Sequence, residues 1–179
     1  MSWRHAGLWV LAFVALVALA DILLADGLKP SHTPSATPDA VLLAPRTATV
    51  LRVVDGDTIL VRDSGGHTER VRYIGVDTPE SVKPNTPVQC YGHEASNYNK
   101  SLVQGRTVRL VPDSEPVDKY GRSLAYVYAD GKLVQSELLT GGYARTLEIP
   151  PNTSRAAQFA KLEDVAIRTN KGLWRDCGR

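Results

Sequence analysis

The 179 residues amount to 19.5 kDa, room for one ordinary domain and a tail but not for two full domains. Hydrophobic residues make up 43% and charged residues 22%, which excludes wholesale disorder, a collagen-like chain and a coiled coil. Lys and Arg number 21 against 19 Asp and Glu, a formal charge of +2, so any recognition of nucleic acid must be local rather than by bulk charge.

The chain opens with Arg4 and His5 and then runs from Leu8 to Ala20 without a polar residue. This is the charged start and apolar stretch of a signal peptide, with small residues at Ala18 and Ala20 where a peptidase would cut. The alternative is an uncleaved membrane anchor over residues 6–25, just long enough to span a bilayer but interrupted by Asp21. Both readings of residues 1–25 put the remainder outside the cytoplasm. Cleavage near Ala20 removes one Arg and no acid, leaving a charge of +1. Residues 26–46 hold Pro30, Pro34 and Pro38 among Ser and Thr and offer no face to bury, so a flexible linker is expected there. The folded domain is expected over 47–179.

Within it, residues 48–54 and 58–62 read as β-strands around Asp55-Gly56-Asp57, and 68–74 as a third strand after the Ser64-Gly65-Gly66 turn. Gly75 to Cys90 has no clean period and contains three prolines, so it reads as a long functional loop. A helix is predicted from Glu94 to Val103, strands at 106–111 and 122–128, a turn at Asp130-Gly131 and a short helix over 133–139. The last helix is predicted from Thr153 or Ser154, with Phe159, Leu162 and Val165 or Ala166 as its stripe, stopping at Gly172. Trp174 is expected to lid the core, and Tyr126 and Tyr128 to be packing residues. Short antiparallel strands with few helices point to an α+β fold, a five-stranded oligonucleotide-binding barrel (OB-fold) with three helices packed outside.

Asp55-Gly56-Asp57-Thr58 and Asp77-Thr78-Pro79-Glu80 sit at strand ends in neighbouring hairpins. Taken singly, each could simply be a turn. Taken together, Asp57, Asp77 and Glu80 can converge, and converging carboxylates repel by on the order of 4 kcal/mol a pair at 4 Å. They then need protons or a cation. Oxygen donors without a Cys or His cluster suit a hard ion, Ca2+ or Mg2+, rather than zinc, since Cys90-x-x-His93 has no second pair. Arg72, five residues before Asp77, and Arg122, just after Tyr120-Gly121, are placed to grip an anion, and guanidinium matches phosphate in a bidentate fork. A hard cation, two such forks and a spare carboxylate describe phosphodiester hydrolysis.

Val54–Ile59, Val76–Glu80, Tyr91–Ala95 and Asp118–Lys132, in that order, resemble the staphylococcal nuclease (thermonuclease) family, over about Thr47 to Trp174. The resemblance implies a Ca2+-dependent nuclease acting on DNA and RNA and leaving 5′-hydroxyl and 3′-phosphate ends. By position, Asp57 and Asp77 resemble the ligands of one calcium ion, with the Thr78 backbone carbonyl. Asp55 resembles the carboxylate behind them that orients water, and Glu80 the general base. Arg72 and Arg122 resemble the pair on the scissile phosphate, and Lys119 and Tyr120 residues at the neighbouring phosphate. One departure stands out. Where family members carry two pocket tyrosines after the second helix, this chain runs from Gly142 to Asn152 one residue shorter and without them, losing base stacking worth roughly 1–3 kcal/mol.

In an exported protein Cys90 and Cys177 are expected to pair, the alternatives being two free thiols or a dimer through Cys177. The bond would close about 87 residues and contribute roughly 4–5 kcal/mol on the chain-entropy picture. No protein partner is implied, and a monomer is expected. The competing function is a non-catalytic module on the same fold that binds nucleic acid or protein.

Overall fold

A computed structural model describes residues 43–82 and 87–177. The expected signal or anchor segment and residues 26–42 of the expected linker lie outside the described residues. The first strand, β1, covers Arg46–Asp55, followed by β2 (Thr58–Arg62), β3 (Thr68–Tyr73) and the two-residue β4 (Val76–Asp77). After helix α1 (Gly92–Val103) come β5 (Thr107–Val111), β6 (Ser123–Ala129) and β7 (Lys132–Leu133). Then follow α2 (Val134–Gly141), β8 (Arg145–Thr146), α3 (Ala156–Arg168) and α4 (Leu173–Asp176).

Period-two alternation drives the barrel. Ile59, Val61 and Val71 point inward and are fully buried, as are Leu110 and Val127, each contributing about 1.5–3 kcal/mol by burial. β1, β2 and β3 form an antiparallel meander, β5 pairs with the start of β1, and β6 pairs with β5. The parallel pairing of Val71–Tyr73 with Ser123–Ala125 closes β3 onto β6 and completes a five-stranded ring. Register shifts between Val50 and Arg52, and between Val53 and Asp55, bend β1 around this ring. They keep Val50 and Val53 inward although three residues apart, and they turn Arg52 outward.

α1 packs on β1, and α2 packs on α3 and β6. Buried Gln135 fastens α2 to the barrel, donating to the Ala125 carbonyl and accepting from the Val127 N–H. On α3 Phe159 and Ala166 are buried, Leu162 packs against the core, and Val165 is 38% exposed, so Ala166 takes the stripe position. The helices number four among the described residues rather than the expected three, because Leu173–Asp176 coils once more after Gly172. The β4–β8 and β6–β7 pairings were also not expected. Two residues are too few to carry a period.

Trp174 is buried with Ala166 and Leu173 in a small cluster of its own, beneath the Arg145 guanidinium at 4.2 Å, and not on the barrel core. Gly142 and Gly172 hold this end of the chain in place. Both have positive φ, and a Cβ on Gly142 would collide with the Lys171 carbonyl oxygen, as one on Gly172 would with the Gly142 carbonyl oxygen. Cys90 and Cys177 are joined, with Cα atoms 5.8 Å apart. Tyr126 packs edge-on against Phe159, and Tyr128 lies beneath the Arg109 guanidinium, as packing residues would.

Candidate active site

The two-residue turn between β1 and β2 is where the site begins. Gly56 has no side chain because Thr78 lies against it, and a Cβ there would meet Thr78 Oγ1 at 2.5 Å. That close approach lets Thr78 donate twice to Asp57 Oδ2, from its N–H at 2.9 Å and its hydroxyl at 3.1 Å. Thr58 Oγ1 donates to Asp57 Oδ1 at 3.1 Å, and the Asp57 N–H donates to Asp55 Oδ1. Asp57 is thereby buried with both oxygens engaged.

Arg72 reaches the same turn from β3. Its Nη1 pairs with Asp57 Oδ1, and its Nη2 donates to Asp77 Oδ1 at 2.9 Å. The guanidinium bridges the two carboxylates. Burial pulls its pKa below the ordinary arginine value, against the opposing fields of Asp77 and Asp55. Burial likewise raises the Asp55 carboxyl, with Arg72 and a hydrogen bond from Thr58 pulling the other way.

Glu80 follows on the loop after β4. Its Oε1 accepts from the N–H groups of Ser81 and Val82, both at 3.0 Å. Gln89 clasps its backbone from both sides. The Gln89 side-chain oxygen accepts from Glu80 N–H at 2.8 Å, and Gln89 N–H donates to the Glu80 carbonyl at 2.9 Å.

Arg122 stands opposite, at the start of β6. Asp118 accepts from the N–H groups of Tyr120 and Arg122 and from Arg122 Nε, the last at 2.7 Å. Burial pushes the Asp118 carboxyl up, but the hydrogen bonds from Arg122 and Tyr120 outweigh it and hold the pKa below the ordinary value. A depressed carboxylate stabilises the fold above its unfolded value and loses that contribution as pH falls through its folded value. Asp118→Ala is therefore expected to cost about 1–3 kcal/mol at neutral pH. In acid titrations of stability followed by circular dichroism, the variant's curve should converge on the parent's below pH ~4. A constant offset down to acid pH would count against this account.

Asp55, Asp57, Asp77, Thr78, Glu80, Arg72 and Arg122 all line one cavity of about 180 Å³. Lys119 and Tyr120 do not line it. They border an adjoining groove of about 470 Å³ that shares Arg72 and Arg122, and Tyr120 is 72% exposed. Where the two tyrosines are missing, Leu147 and Ile149 form an aliphatic wall of this groove. Among the described residues no three His, Cys, Asp or Glu side chains form a metal cage by themselves. A cation's donors would be Asp57, Asp77 and the Thr78 carbonyl, an all-oxygen set suited to a hard ion completed by water.

Against known proteins, the profile described as "Staphylococcal nuclease homologue" matches residues 70–176. A thermonuclease of Staphylococcus intermedius is 39% identical over 168 residues, covering 94% of this chain and 95% of that protein. The chain belongs to the staphylococcal nuclease family. A thermonuclease of Staphylococcus hyicus is 43% identical, covering 72% of this chain and 76% of its own length. Endonuclease YncB of Bacillus subtilis (strain 168) is 46% identical over 132 residues, which span 73% of this chain and 62% of that protein.

Residues that hold this nuclease-family site in shape escaped sequence reasoning. Asn99, fully buried on α1, donates to the Asp55 carbonyl and accepts from the Tyr73 hydroxyl. A polar residue in the buried stripe of α1 was the signal available for it. Gln89 carried no signal, because its partner lies nine residues away in an aperiodic loop. Asp118 lay inside a recognised motif, but its part in forming the Arg122 turn emerges only from the three hydrogen bonds it accepts.

Proposed function

We propose that this chain is an exported calcium-dependent nuclease that hydrolyses phosphodiester bonds of DNA and RNA, leaving 5′-hydroxyl and 3′-phosphate ends. One observation carries the reading: two guanidinium groups and four carboxylates border a single small cavity. Arg72 and Arg122 hold the scissile phosphate from two sides and stabilise the charge that builds on its oxygens. Glu80, its carboxylate aimed by two backbone N–H groups, accepts a proton from the attacking water. The water oxygen bonds to phosphorus, the bond to the 5′ oxygen breaks, and that oxygen leaves as a hydroxyl once protonated. Asp57, Asp77 and the Thr78 carbonyl would hold the calcium ion, which when bound would supply a Lewis acid and offset carboxylate repulsion. Asp55 fixes the Asp57 backbone, and Lys119 and Tyr120 meet the next phosphate.

Export rests on residues 1–25, with release after cleavage near Ala20 or a tether through residues 6–25. Among the described residues no helix is long and apolar enough to cross a membrane. The Cys90–Cys177 bond belongs to the same proposal, as it suits an oxidising compartment. So does a monomeric state. Cleavage of labelled DNA with calcium is expected to stop on adding chelator and to fall by about 10²–10⁴ in Glu80→Gln. Phosphatase-sensitive product mobility would report the 3′-phosphate. Cleavage that persists in chelator overturns the metal assignment, and tight binding without turnover favours the non-catalytic module.

A further inference from the structure

The strand register lays out a feature on the outside of the barrel. Asp55, Thr58 and Arg72 stand side by side across β1, β2 and β3, at the cavity. The next row outward is Arg52, Leu60 and Arg70, and the row beyond it is Thr49, Arg62 and Thr68. All three rows share the outer face, because the alternate positions Ile59, Val61 and Val71 are buried inside. Arg52, Arg62 and Arg70 are exposed. They have no ion-pair or hydrogen-bond partner among the described residues. Asp55, at the cavity end, is the one carboxylate in these rows. Glu69 faces the other way and pairs with Arg46.

Like charges placed across neighbouring strands repel unless an anion joins them. Here three unpartnered guanidinium groups flank the half-buried Leu60 and lead away from Arg72. Rows two residues apart are separated by about 6.6 Å along a strand, so the face extends about 13 Å from the catalytic row. A compact anion would need converging donors. This array is elongated, one or two cations wide, and continuous with the site.

We infer that Arg52, Arg62 and Arg70 form a backbone track for the substrate strand, gripping the phosphates that lie beyond the scissile one. The inference rests on the nuclease reading and deepens it. The track favours long strands over short ones and is indifferent to sequence, because each contact is to phosphate.

The test compares the full chain with an Arg52→Gln, Arg62→Gln, Arg70→Gln variant. Binding of a long single-stranded oligonucleotide is read by fluorescence anisotropy across a salt series, and cleavage of a dinucleotide is assayed in parallel. The variant is expected to bind the long strand about tenfold or more weakly. Its log–log salt slope should be shallower by about 2, at ~0.7 per single-strand phosphate contact. Dinucleotide cleavage should match the parent, and a charge-preserving Arg→Lys triple should restore most of the affinity. Equal affinity and slope in parent and variant, including no binding by either, overturns the track. Loss of binding to anionic phosphatidylglycerol vesicles with the oligonucleotide slope unchanged also overturns it, and assigns the face to a lipid surface. Weaker binding by the variant with the shallower slope, but no cleavage by any form, would keep the track and remove the nuclease reading instead.

Discussion

Arg122→Ala is expected to lower kcat for DNA cleavage by about 10²–10³ and leave the fold intact, whereas Arg72→Ala loses activity and stability together. The difference follows from what each guanidinium leaves behind. The Arg122 side chain is 31% exposed, and without it Asp118 still accepts from two backbone N–H groups near the surface. The Arg72 side chain is 13% exposed and its partner Asp57 only 6%. Removing it strands a buried carboxylate, for which the penalty is about 3–5 kcal/mol. Thr58 and Thr78 continue to donate to Asp57 and keep the loss towards the lower end. Urea denaturation and steady-state kinetics on both variants separate the cases. An Arg72→Ala protein as stable as its parent would mean that Asp57 is not held by this pair.

The contrast also shows which parts of the site were legible in the sequence. β2 at 58–62 and the Asp-Gly turn before it were plain, because β-branched residues alternate on both sides of a turn signal. Both acidic motifs and both arginines could be named from spacing, since each lies on or beside a strand end. Who pairs with whom could not. Arg72 bridging Asp57 and Asp77 depends on the register of β2 against β3 and on the short β4, and nothing periodic marks two residues. The bulges of β1 are equally silent, yet they decide that Arg52 joins the row of Leu60 and Arg70 rather than facing inward. A one-residue difference in register would send that whole set to the other face. The fourth helix and the Gly142–Gly172 contact depend on a backbone approach between segments thirty residues apart, which no local pattern encodes.

Reducing the Cys90–Cys177 bond is expected to destabilise the domain by up to about 4–5 kcal/mol, lowering the thermal midpoint by on the order of 10 °C. The bond closes a loop of 87 residues that contains α1, β5, β6, α2 and α3, so the unfolded chain regains much freedom when it is cut. The folded side also has something to lose. Cys177 ends α4, and Cys90 precedes Tyr91, which packs with Trp174 and Leu173 in the small second cluster. That cluster holds few side chains and sits at the end of the chain, where fraying is easiest. Without the bond its main lashing is the Leu173 N–H donated to the Gly142 carbonyl at 2.9 Å. Two consequences are expected to separate. Global stability falls with the loss of loop closure, and Trp174 fluorescence shifts towards the exposed value before the barrel melts. The candidate cavity is built on the β1–β2 turn, β3, β4 with the Glu80 loop, and the segment before β6. Of these only the Glu80 loop, held through Gln89 beside Cys90, adjoins the bond. Cleavage at low temperature should therefore fall through the Glu80 step but not be abolished by reduction. Cys90→Ser, Cys177→Ser double variants followed by tryptophan emission and calorimetry test both. Two thiols that alkylate in the native protein would end the case for the bond.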